Sequence, residues 1–238
     1  MDAYTRSAML LGRDAINKLQ QTHVVVFGVG GVGGNCIETL ARSGVGELTI
    51  IDNDTISITN LNRQIVALHS TIGKYKVDVM KERLLDINPN IKVNTYNLFI
   101  LQDTIDQIDF TKFDYIVDAV DTISAKLLII EYAKKANIPI ISSMGTGNKL
   151  DPSKLMIMDI SKTNHCPLAK VMRKELKNRN IKDVKVLSSN EIPIKQVISD
   201  NDEKTHKNVV PGSVAFVPNV AGMLIAREII LEVTNEIK

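Results

Sequence analysis

Two rhythms of apolar residues alternate along the first two-thirds of the chain. Short runs at His23–Phe27 (HVVVF), Leu48–Ile51, Val93–Tyr96, Tyr115–Val120 and Ile138–Ser142 have the length and content of strands. Between them, Asn35–Ser43, Gly73–Ile87 and Thr122–Asn137 carry helical spacing. In Gly73–Ile87, Val77, Met80, Leu84 and Ile87 share one face, and Pro89 ends the run. Strand and helix in this alternation predict parallel pairing through right-handed crossovers, and the apolar runs predict a sheet covered on both faces. From about Gly145 the rhythm changes. Leu155–Ile160 and Val184–Leu187 read as strands flanking a basic helix, Pro167–Arg179. Asn190–Asn208 is polar and without period, which predicts a mobile stretch, and Val217–Ile237 returns as a helix. The chain contains no internal repeat.

Composition narrows the class. A chain of 238 residues with 44% hydrophobic and 24% charged residues buries roughly 70–75% of its unfolded surface and needs no staple to hold its core. Thirteen Gly and seven Pro exclude collagen-like and low-complexity readings, and two Cys exclude a disulfide framework or a four-thiolate zinc site. A reducing, cytoplasmic location is the expectation. No run approaches 18 apolar residues, and Pro218, Asn219, Arg227 and Glu228 interrupt the most apolar stretch, Val214–Leu231, so no membrane contact is expected. Asp2 and Arg6 open a terminus without a signal-peptide core. The net charge of +2 means that any nucleic-acid site must come from local clustering.

The chemistry begins at Gly28-Val29-Gly30-Gly31-Val32-Gly33, which follows a strand and opens a helix. Glycines there allow a tight turn and close backbone approach, and a helix N-terminus offers N–H groups and a positive dipole to phosphate. Asp52 lies nineteen residues after Gly33 at the end of the next strand, where a carboxylate can accept both ribose hydroxyls. These features alone fit an NAD enzyme as well as any nucleotide binder, and a tight strand–helix packing turn explains the glycines without a ligand. The residues beyond Asp52 separate the readings. Asp54, then Asn60-Leu61-Asn62-Arg63-Gln64, then Lys76, and finally Asp121-Thr122 after a strand add cations and carboxylates that a dinucleotide does not need. A triphosphate does need them, since Arg and Lys offset its charge and Asp holds Mg²⁺ through oxygen.

This combination, over roughly residues 4–160, resembles the ubiquitin-activating-like adenylating superfamily, which includes the enzymes that adenylate sulfur-carrier proteins for thiamine and molybdopterin synthesis. The resemblance implies a Rossmann-like, doubly wound α/β fold with a mostly parallel sheet. The sheet would carry a small C-terminal α/β extension; an ATP-binding adenylating domain would span 1–160, and a tRNA-contacting and C-terminal helical extension, 161–238, would pack into the same domain. It also implies that Gly28, Gly30, Gly31 and Gly33 line the ATP phosphates and that Asp52 holds the ribose. Asn60, Arg63, Gln64 and Lys76 would bind the polyphosphate, Asp121 would coordinate Mg²⁺, and Asp54 would lie near the metal. Arg63, Lys76 and Asp121 would carry the catalysis. Arg6, in Tyr4-Thr5-Arg6, resembles the arginine that reaches a neighbouring protomer's ATP in a homodimer; a plain surface charge is the alternative.

The later segments point to one branch. The chain has no CxxC pair, which the carrier-protein enzymes use for zinc, and no length for a catalytic-cysteine domain or a ubiquitin-like tail. Gly145–Pro152 and Ser161–Lys170 (SKTNHCPLAK) resemble the tRNA threonylcarbamoyladenosine dehydratase family. That family implies ATP-dependent activation of a threonyl carboxylate beside the tRNA anticodon, and closure to cyclic ct6A with release of AMP. Some members require a monovalent cation (Na⁺ or K⁺), and some are described as taking sulfur from a cysteine desulfurase. The alternatives are adenylation of a small sulfur-carrier's C-terminus and a non-catalytic sulfur relay. Cys36 reads as core. Cys166, before a basic helix, reads as a packed or exposed thiol, with a sulfur-accepting role as the rival. Residues 161–186 hold eight basic residues against Glu175 and Asp183. Lys170, Arg173, Lys174 and Lys177 are accordingly expected to meet tRNA phosphates, on a helix docked through Leu168, Val171, Met172 and Leu176.

Overall fold

Every residue of Val24–Phe27 is buried, and alternate side chains serve different cores. Val24 and Val26 join one apolar cluster, Val25 and Phe27 the other, as a strand's two-residue period requires. The computed structural model describes residues 2–197 and 211–235. Among the described residues seven strands form one sheet: β1 (His23–Phe27), β2 (Glu47–Ile51), β3 (Lys92–Tyr96), β4 (Tyr115–Asp118), β5 (Ile140–Ser143), β6 (Leu155–Asp159) and β7 (Lys185–Ser189). Their order is β3-β2-β1-β4-β5-β7-β6. All neighbours pair parallel except β6 and β7. This is the expected doubly wound α/β sheet.

One face is covered by α2 (Arg13–Gln21), α3 (Gly31–Arg42), α4 (Lys76–Ile87) and α7 (Phe216–Thr234), the other by α5 (Ile123–Ala136) and α6 (Pro167–Asn178). A short helix, α1 (Thr5–Leu11), precedes α2. The closest helix contact is α3 on α7. A Cβ on Gly222 would come within 2.2 Å of the Val32 carbonyl oxygen and 2.8 Å of the Cys36 nitrogen, so only glycine lets the two backbones meet there. The segment after Gly145 completes the same sheet, because β7 inserts between β5 and β6. Among the described residues no helix is long and apolar enough to cross a membrane.

Several boundaries differ from those the periodicity predicts. The sequence gives no sign of an element before His23, yet α2 buries Ala15, Ile16 and Leu19. The third helix begins at Gly31 rather than Asn35, its first turn hidden by glycines of poor helix propensity. The fourth begins at Lys76 rather than Gly73, where a φ of +85° belongs to a turn. Of the polar stretch 190–208, residues 198–208 lie outside the described residues; the helix expected to reach Ile237 ends at Thr234, where Asn235 takes a left-handed conformation.

Candidate active site

The strand order reverses between β1 and β4, and a cleft of about 320 Å³ opens at the carboxyl ends of the strands there, the place where open α/β sheets bind ligands. Gly28 leaves β1 with φ +94°, and a Cβ on it would lie 2.7 Å from the Ala119 carbonyl oxygen. On Gly33 a Cβ would stand 1.8 Å from the Gly28 carbonyl oxygen. The glycines thus seat the start of α3 against the turn after β4. Gly30 caps α3 with no side-chain hydrogen bond, which leaves the helix's first N–H groups free for an anion. Gly28, Gly30 and Gly31 line the cleft; Gly33 lies behind it as a packing residue.

Asp52, just beyond β2, accepts the Val29 N–H at 2.6 Å and the Asp54 N–H at 2.8 Å. Burial pushes its carboxyl above the ordinary value, against the pull of Lys76 and the two N–H groups. Each oxygen keeps a further lone pair for a ribose hydroxyl. Lys76 opens α4, buried, with Nζ 2.7 Å from Asp54 Oδ2 and 3.9 Å from Asp52 Oδ1. Asn60, Arg63 and Gln64 come from the turns between β2 and α4 and line the same cleft. Arg63 is held by the Thr59 carbonyl at 3.1 Å and by Asn62 Oδ1 at 2.8 Å. Gln64 is buried with Oε1 unpartnered, an acceptor left for a ligand. Asp121 stands exposed at the rim, on the turn after β4.

Among the described residues no three His, Cys, Asp or Glu side chains gather as a metal cage. The donor set suits Mg²⁺, which binds through one or two carboxylates plus phosphate oxygens and water. Asp121 and Asp54 are the exposed carboxylates of the cleft that could hold it; one oxygen of Asp54 is already paired with Lys76 Nζ at 2.7 Å.

Sequence reasoning missed part of the wall. Leu98, Phe99 and Ile100, after β3, close one side, while Thr146, Ser213 and Pro218 bring in the later chain. Asn62 Nδ2 fastens Ser213 through its carbonyl at 2.9 Å. The apolar trio carried one usable signal, its place at a strand's carboxyl end. Ser213 and Pro218 carried none, being more than 150 residues away in sequence from Asn62 or the glycine loop. Arg6 is not brought to the cleft: it is exposed on α1, outside the lining residues of its own chain.

On α6, Lys170, Lys174 and Lys177 are exposed on one face, but Arg173 is half-buried and donates to the Thr163 carbonyl at 2.9 Å and to the Thr163 hydroxyl. Arg173 therefore fastens the helix to the preceding loop and is withdrawn from the outward strip. Val171 is also corrected: it is 41% exposed, and Ala169 takes its place beside Met172 and Leu176 in the core. Cys36 and Cys166 are both free and buried, and burial pushes the Cys36 thiol up.

Comparison with known proteins gives the family. The ThiF family matches residues 4–237. The tRNA threonylcarbamoyladenosine dehydratase of Bacillus subtilis is 41% identical over 99% of this chain and 96% of its own length. The crystal structure of the Escherichia coli tRNA N6-threonylcarbamoyladenosine dehydratase with AMP superposes with a TM-score of 0.88 at 31% identity, over 99% of this chain and 97% of that one. The same E. coli enzyme with ATP gives 0.84 at 29% identity, over 99% and 96%. The chain belongs to the ThiF family, among the tRNA threonylcarbamoyladenosine dehydratases.

Proposed function

We propose that the chain uses ATP to dehydrate threonylcarbamoyladenosine in tRNA to its cyclic form through an acyl-adenylate. One observation carries the reading: the glycine turn, Asp52, Arg63, Gln64, Lys76 and Asp121 converge on one cleft in a chain alike end to end with the B. subtilis dehydratase. The open N–H groups of α3, with Arg63 and Lys76, offset the phosphate charge, and Asp52 orients the ribose. The threonyl carboxylate, already ionised, attacks the α-phosphorus and pyrophosphate leaves. Attack from within the same nucleoside then expels AMP and closes the ring. No general base is needed for activation, so the protein's work is alignment and neutralisation of charge. Mg²⁺, held by Asp121 and the phosphates, would supply charge neutralisation at the leaving group.

Two parts of the reading extend beyond the cleft. Lys170, Lys174 and Lys177 present a strip of cations to tRNA phosphates. A second copy of the chain supplies Arg6 to the cleft, since its own α1 leaves that guanidinium outside.

The test is mass spectrometry of nucleosides from tRNA incubated with the protein, ATP and Mg²⁺. The expected result is a threonylcarbamoyladenosine lighter by one water, with AMP and pyrophosphate formed in equal amount. Pyrophosphate release without that mass change would transfer the activity to another carboxylate, such as the C-terminus of a small carrier protein.

A further inference from the structure

Behind the cleft lies a charged pair shut off from solvent. Lys126, one turn into α5, and Asp118, the last residue of β4, both have fully buried side chains. Lys126 Nζ is 3.0 Å from Asp118 Oδ2, 2.7 Å from the Ser143 carbonyl oxygen and 3.4 Å from Ser142 Oγ. The Ser142 hydroxyl donates to the same Asp118 oxygen at 2.5 Å. The other carboxylate oxygen, Oδ1, accepts the Val120 N–H at 3.2 Å. One ammonium thus gathers the ends of β4 and β5, and its carboxylate partner reaches the backbone next to Asp121. Ala119, in the same turn, is the wall against which Gly28 packs.

Stability alone gives little reason for these charges. A buried ion pair is often no better than apolar side chains of the same volume, while removing one partner is strongly destabilising. What an ammonium does here, and a methyl group cannot, is hold three oxygens on two strands at once.

We infer that Lys126 is a positioning residue for the adenylation site: through Asp118 it fixes the Ala119–Thr122 turn and so the placement of Asp121. The inference rests on the metal role proposed for Asp121, and it is tested beside that role. Displacement of a reacting group by about 1 Å can cost on the order of 100-fold in rate. Two variants are compared with the wild-type protein, Lys126→Met and the charge-neutral Lys126→Met/Asp118→Asn. The second keeps the volume and leaves no unpaired charge, so it is expected to fold even where the first does not. Pyrophosphate release is followed over a Mg²⁺ series, with KM for tRNA and amide exchange at Val120 recorded in parallel.

The expected result is a kcat lower by about 10- to 100-fold, a raised Mg²⁺ requirement, faster exchange at Val120 and an unchanged KM for tRNA. A folded variant that melts at lower temperature but keeps the wild-type kcat and Mg²⁺ dependence overturns the inference, as does failure of both variants to fold. Asp121→Ala serves as the control. If it too keeps the wild-type Mg²⁺ dependence, the metal role fails and the Lys126 inference falls with it. If it loses activity while the Lys126 variants do not, only the inference falls.

Discussion

Asp121 and Asp52 line one cleft in different surroundings. Asp52 is wrapped by backbone N–H groups and buried, so it is fixed before any ligand arrives. Asp121 is exposed, accepts a 3.3 Å bond from the Thr122 hydroxyl, and is open to a cation. Asp121→Ala is therefore expected to abolish AMP production at ordinary Mg²⁺ while leaving the fold and its melting temperature near wild type; near-normal turnover would remove Asp121 from the reaction. Residues of this kind are legible in the sequence because polar side chains at set distances after strands seldom serve packing. Lys126 is not legible. A lysine in a helix reads as a solvated cation, and its partners Asp118, Ser142 and Ser143 lie on two strands that only the fold brings side by side. Arg173 misleads in the opposite direction: its helical position groups it with the outward lysines, and two hydrogen bonds to Thr163 remove it.

For α6 the consequence is a division of labour along a helix. Lys170, Lys174 and Lys177 recur at spacings of four and three and so share a face. Replacing Lys170 and Lys174 by Ala is expected to raise the dissociation constant for tRNA and to flatten its log–log salt dependence by roughly one to two. ATP affinity should not change, because the cleft is built from other elements. Unaltered salt dependence would return these lysines to plain solvent exposure. Strands and long helices of this fold can be read from periodicity alone. The insertion of β7 between β5 and β6, and the antiparallel turn of β6, cannot, since both arise from long-range pairing with no local signature. The first helices escape for a simpler reason, their short apolar faces lying in a largely polar segment.

In the whole molecule the question is what completes the cleft. Arg6 lies outside the cleft of its own chain, so the proposal of a homodimer with shared sites makes a quantitative statement. Mixing inactive Arg6→Ala with inactive Lys76→Ala subunits in equal amounts should restore about a quarter of wild-type turnover, since random pairing gives one intact site in half of the dimers. Subunit exchange without any return of activity would confine Arg6 to its own chain or to no role.

The pairing of α3 with α7 across Gly222 also has a meaning in time. A ribosome finishes Arg42 long before it reaches Phe216. At 5–20 residues per second, the roughly 170 residues between them take on the order of 10 to 35 s. Throughout that interval Val32, Asn35 and Cys36 lack the helix that Gly222 brings against them. Until the helix that starts at Phe216 is made, a nascent chain leaves that face of α3 uncovered and its cleft without the Pro218 wall.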